Sequence, residues 1–180
     1  MNVQHVNVKF FVDGELTVDL DKVIELFHSW TAQQMRDELL IDVADYRHVP
    51  AGPSVALIGH EADYVLDNTG HRYGLRYNRK AALDGTNEHR IRQAVRSALQ
   101  ACDLLEAEFD SLQFSRQEFE ITVNDRALAP NTEETRLAFD PILRSFIGEH
   151  LHQSDFTADY QRDSRTLFGA LVSLPDTINI

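Results

Sequence analysis

Cysteine is almost missing from this chain: Cys102 stands alone among 180 residues, so no disulfide can form within it. Long apolar runs are missing too, and nothing approaches the roughly 18–20 apolar residues that span a bilayer as a helix. The opening MNVQHVNVKFF lacks the basic start and apolar core of a secretory signal. These absences predict a soluble, cytoplasmic protein of bacterial type, with no membrane as partner. Positive charge is short, with 17 Lys and Arg against 29 Asp and Glu and a net charge of −12. That balance argues against general nucleic-acid binding. Aromatic residues are not interleaved with basic ones as on an RNA-binding sheet.

The reactive motifs are absent as well. There is no HExxH, no paired-cysteine metal spacing, no GxGxxG and no Walker A loop. Ser54, Ser111, Ser115 and Ser173 sit in no GxSxG context. Sequence therefore predicts no cofactor and fixes no reaction, and the chain reads as non-catalytic.

What the sequence does contain is alternation and helical striping. Val6, Val8, Phe10 and Val12 alternate with Asn7 and Lys9, the period of a half-buried strand. Thr17 or Asp19 can cap a helix that carries Leu20, Val23, Ile24, Phe27 and Trp30 on one stripe. Leu39 to Tyr46 is apolar on both faces, which predicts a strand covered on both sides. Pro50, Gly52 and Pro53 turn the chain into a returning strand, Val55 to Gly59. The polar run from His60 to His71 reads as a loop or hairpin tip. Tyr73, Leu75 and Tyr77 predict a strand with a basic outer face. The longest helix is expected over Asn87 to Phe109, with Cys102 inside its apolar stripe and so buried.

Farther on, Ser111 to Gln117 reads as a polar connector, and Phe119, Ile121 and Val123 as a strand. Asn131 followed by Glu134 resembles a capping box. Pro141 predicts a kink or break in the helix that follows. Phe156 to Tyr160 and Leu167 to Leu174 complete the strands.

The chain also repeats itself. Leu20-Asp21 through Phe27 matches Phe139-Asp140 through Phe146 in its aromatic, aspartate and aliphatic positions. Ala44-Asp45-Tyr46 recurs as Ala158-Asp159-Tyr160, and Ala56-Leu57-Ile58 as Ala170-Leu171-Val172. The expected fold is α+β: a mixed or antiparallel sheet from two strand–helix–strand–strand units, at residues 3–60 and 118–174. A strand at 72–80 and a helix at 87–109 join them in one domain, residues 1–180. This order resembles a tandem ferredoxin-like build, which carries no function by itself.

Two sets of residues are candidates for a site. Asp42, His48, His60 and Glu61 have no counterpart in the second unit. Gathered at strand ends, an imidazole and carboxylates can serve as general base or metal ligands. The second set is Arg79, Lys80, Thr86 and Arg90, around the start of the long helix, where free N–H groups and the dipole suit an anion. They fall in a window, Arg72 to Arg96, that is +5 (seven basic against two acidic residues) in an acidic chain. The leading expectation is an interaction or regulatory module that self-associates as a homodimer through the two-sided strand. An enzyme or binding protein for an anionic small molecule is the alternative.

Overall fold

The computed structural model describes residues 1–35 and 38–178. The chain opens with strand β1 (Val6–Val12) and helix α1 (Leu20–Gln33). Asp19 caps α1, its carboxylate accepting from the N–H of Asp21, which satisfies a helix-end donor. A meander of β2 (Leu40–Asp45), β3 (Pro53–Gly59), β4 (Ala62–Asp67) and β5 (Gly74–Arg79) follows. Helix α2 (Asn87–Glu108) leads to β6 (Phe114–Val123), α3 (Glu133–His150), β7 (Thr157–Tyr160) and β8 (Phe168–Ser173). The eight strands form one sheet in the order β2-β3-β4-β5-β1-β6-β8-β7, and each neighbouring pair is antiparallel.

One core cluster joins the three helices to alternate residues of the central strands, among them Val8, Phe10, Leu75, Tyr77, Phe119 and Ile121. The helices therefore cover a single face of the sheet, an α+β layer arrangement. Aromatic pairs run through this core: Phe10 with Phe119 at 5.6 Å between ring centroids, Tyr64 with Tyr77 at 5.2 Å, and Phe139 with Phe168 at 5.3 Å. Helix α2 packs on β1 and β5, α1 on β2 and β3, and α3 on α2. No helix of the described residues is long and apolar enough to cross a membrane.

Several expectations need correction. The run His60 to His71 is no loop, because β4 lies within it. Ala62, Tyr64 and Leu66 alternate with Asp63 and Val65, and the flanking His60, Glu61 and Asp67 mask that period. The segment Ser111 to Gln117 is likewise not all connector, since β6 begins at Phe114. Thr132, not Asn131, caps α3 by accepting from the N–H of Thr135, while the Asn131 amide donates to Asp163 and Thr166. Helix α3 continues through Pro141 without a break. The carbonyl that Pro141 leaves without its helical partner is that of Leu137, an exposed residue where water can serve.

β1 also departs from the half-buried reading, for both of its faces are buried. On the helix-free face Lys9 is covered by long side chains from its neighbours. β2 departs in the opposite sense. It is an outer strand with Leu39 and Ile41 60% and 54% exposed, so nothing among the described residues covers its second side. A register shift between Leu40 and Asp42 makes Ile41 a bulge, which breaks the alternation the sequence suggested.

Candidate functional site

The β2–β3 hairpin does not gather its four singled-out residues. In its register Leu40 faces Gly59 and Asp45 faces Val55, so His60 follows one end and His48 the other. Five strand residues, about 16 Å at ~3.3 Å each, lie between them. The Asp42 carboxylate accepts from the N–H of Val43 at 2.8 Å. The His48 ring lies 6.4 Å from that of Tyr46. Glu61 pairs with Arg79 at 3.0 Å. Among the described residues no three His, Cys, Asp or Glu side chains stand close enough to hold a metal ion.

The second set is also dispersed. Arg79 faces the helices, with its Nε donating to the Ala81 carbonyl at 2.9 Å. Lys80 turns away to Asp63 at 2.7 Å and to the Gly59 carbonyl at 2.6 Å. Successive residues of an extended chain point to opposite faces, which is why a sequence pair does not become a spatial pair here. Thr86 caps α2 by accepting from the N–H of His89 at 3.2 Å. Arg90 is spent on the chain's own start, donating to the carbonyls of Leu83 and Val3 and to Asn2. Asn87 accepts from the N–H of Val3 at 2.9 Å. The N-terminal segment thus seals the helix end that would otherwise attract an anion.

Other groups, which sequence reasoning did not single out, do converge. On the helix-free face Lys9 and Asp67 form an ion pair at 2.7 Å, their side chains only 1% and 3% exposed. The Lys9 ammonium also donates to the carbonyls of Arg72 at 2.7 Å and Thr69 at 3.2 Å. Arg76 adds contacts to Asp67 at 3.3 Å and Glu120 at 3.0 Å. Burial alone would push the Asp67 carboxyl up. Arg76 and Lys9, with hydrogen bonds from Lys9 and Thr69, outweigh it and hold the group below its ordinary value. The Arg72 guanidinium lies 3.8 Å over the Phe11 ring, closing the cover on β1. The sequence shows a lysine inside an apolar strand, but its partner Asp67 ends β4, one strand beyond the β5 that pairs with β1.

Beside this network the helix-free face is hollowed. A groove of about 600 Å³ is lined by His5, Asn7, Asp63, Asn78, Lys80 and Asn124, among others. Asn7 is 7% exposed, and its Oδ1 is buried with no hydrogen-bond partner among the described residues. Such an acceptor costs about 1–3 kcal/mol to bury. A second groove, of about 380 Å³, lies on the helix side between α2 and β5, with Glu38, Glu61, Arg79, His89, Arg92 and Arg96 on its walls. Glu38 accepts there from the Tyr64 hydroxyl at 2.9 Å.

Cys102 is wholly buried in α2. Burial pushes its thiol well above the ordinary range, so it offers little thiolate for chemistry. On the outer strand, hydrogen bonds from the Arg47 side chain hold Asp45 at about 2, and Arg47 reaches on to Asp21 of α1 at 2.8 Å. Comparison with protein-family models, with curated proteins and with solved structures gave no match in any of the three.

Proposed function

We propose that this chain is a non-catalytic interaction module that pairs with a second copy of itself along β2. The observation that carries this is the clustering of exposed apolar bulk. Of the eight large exposed hydrophobics among the described residues, five (Met35, Leu39, Ile41, Tyr46 and Val49) belong to β2 and its flanks. β2 is also an outer strand, so the backbone groups along its free edge have no strand partner. Unpaired edges are templates for another strand, and proteins usually blunt them with charge or brevity. The other outer strand, β7, is blunted in that way: it has four residues, TADY, and runs into Gln161, Arg162 and Asp163. β2 has a bulge at Ile41 and exposed Asp42 and Asp45, yet it keeps its apolar bulk beside them. Identical edges pair antiparallel about a two-fold axis, and each copy then covers the same residues of the other.

Light scattering should give twice the 20.5 kDa chain mass. An Ile41→Lys variant should run as a folded monomer at the same concentration. Wild-type protein that stays monomeric from micromolar to submillimolar concentration would rule out the pairing.

The same reading takes the scaffold as a tandem, ferredoxin-like pair of strand–helix–strand–strand units within one domain. Their opening strands, β1 and β6, lie side by side, and β2 and β7 end the sheet at opposite edges. Supporting it further, corresponding helix aspartates tie each helix to its unit's outer strand. Asp21 meets Arg47 just beyond β2, and Asp140 accepts from the Tyr160 hydroxyl of β7 at 3.2 Å. Along the chain β4, β5 and α2 fall between the units, and in the sheet β4 and β5 stand between β3 and β1 of the first unit.

A second reading, an anionic small molecule in the helix-side groove, is favoured by Arg92 and Arg96. They stand one turn apart on α2, both exposed, with no ion-pair or hydrogen-bond partner among the described residues. Inorganic phosphate should then raise the melting temperature, and Arg96→Gln should abolish the rise. An unchanged melting temperature removes this reading.

A further inference from the structure

We infer that the groove on the helix-free face, floored by Asn7, Asn78 and Asn124, binds a neutral, hydroxyl-rich small molecule the size of a mono- or disaccharide. Asn7 of β1 lies opposite Asn78 of β5, and Asn78 lies opposite Asp63 of β4. Neighbouring strands are ~4.8 Å apart, so these side chains form a polar row across the sheet. The row reaches Thr122 of β6 on the other side of Asn7. Asn124 follows β6, its N–H donating to the His5 carbonyl at 3.0 Å, which brings both residues to the end of the row.

The charged groups of the groove are already satisfied. Lys80 holds Asp63 at 2.7 Å, and Arg76 holds Asp67 and Glu120. The Asp125 carboxylate accepts from the N–H groups of Ala127 and Leu128, each at 3.0 Å. Arg79, also in the lining, holds Glu61 at 3.0 Å, so an anion would have to compete with these carboxylates for the basic groups. The carboxamides and the imidazole are different. The side chains of Asn7, Asn78, Asn124 and His5 make no hydrogen bond or ion pair among the described residues.

A carboxamide presents donors and an acceptor together, the complement of a hydroxyl, which is also both. Three of them on adjoining segments match the repeated hydroxyls of a sugar or cyclic polyol. The Oδ1 of Asn7 is buried without a partner among the described residues, and a turn of the amide toward a ligand in the groove would give that acceptor the partner it lacks. The volume of about 600 Å³ suits a small molecule and lies within the usual range for such sites. Leu167 is the one apolar side chain in the lining, so an apolar ligand finds little surface there.

The test is an amide-resolved NMR titration of the full chain with glucose, lactose and myo-inositol, and with sodium phosphate as the charged comparison. At least one neutral compound should give saturable shifts confined to the amides of residues 5–7, 78 and 124. Its affinity should fall roughly tenfold in Asn78→Ala and again in Asn124→Ala, with the melting temperature unchanged. Asn124 is exposed, so its variant reports on binding even where a β5 change disturbs the sheet. Three outcomes would overturn the inference: no saturable shift with any neutral compound, shifts that map elsewhere, or phosphate saturating the same amides.

Discussion

Replacing Asp67 by leucine is expected to destabilise the fold by about 3–5 kcal/mol, because it strands a buried ammonium. Lys9 is 1% exposed, and without Asp67 its ammonium keeps no direct carboxylate partner, only the carbonyls of Thr69 and Arg72, the Phe11 ring at 5.3 Å and the more distant charge of Glu120. Lys9→Met should cost less, about 1–3 kcal/mol, since Asp67 keeps Arg76 at 3.3 Å and the hydroxyl of Thr69 at 2.7 Å. The double variant should recover much of the loss, as replacement of a buried pair by apolar groups is often neutral. Urea unfolding of the four proteins measures all three values. A Lys9→Met loss exceeding that of Asp67→Leu would show that the ammonium does not depend on this carboxylate.

The pair also contributes to the acid limb of stability. The folded Asp67 carboxyl is held below its unfolded value, so the native state binds fewer protons there. Its contribution is complete above the unfolded pKa, near ~4, and is lost as pH falls through the lower folded value. An acid titration of unfolding should therefore be shallower in Asp67→Leu than in the wild type.

The second large effect is expected at Phe119. Its ring is fully buried and meets Phe10 across the β1–β6 pairing, with Val172 of β8 opposite on the other side. Phe119→Ala should cost about 3–5 kcal/mol through lost transfer energy and the cavity left behind. Phe156, half-buried beside the outer strand β7, should cost clearly less on the same substitution. Equal losses at the two positions would mean that the central seam does not carry the core.

What sequence could and could not show follows from the range of each signal. Helix α2 was legible nearly to the residue, since Thr86 caps it and Ile91, Val95, Ala98, Cys102 and Leu105 keep one stripe. β6 was legible in its core because Glu118, Glu120 and Thr122 alternate with buried residues. Those cues are local. β4 was hidden because its inward residues sit among acids and a histidine, and the reason for Asp67, the distant Lys9, appears only once β1 and β5 pair. The hairpin site failed for a related reason. His48 and His60 look close along the chain, yet an antiparallel register puts them at opposite ends. Arg90 read as an anion contact because nothing in its neighbourhood reveals that residues 2 and 3 return to meet it. Neither groove leaves a sequence motif, since each draws on strands or loops remote along the chain.

The place of β1 in the sheet has a consequence for the order of assembly. The first strand made is flanked by β5 on one side and β6 on the other, so its first partner comes only with β5 and its second only with β6. β2 through β5 can meanwhile zip up as successive hairpins, each closing a short loop. Insertion of β1 joins segments far apart in the chain, the kind of contact that slows folding. It also carries Lys9 out of water, at the same step that brings Glu120 and Arg76 together over it. A chain truncated before β6 would hold β1 with one edge and much of its outer face bare. Completion of β6 is thus the event that gives the first strand a partner on its second edge.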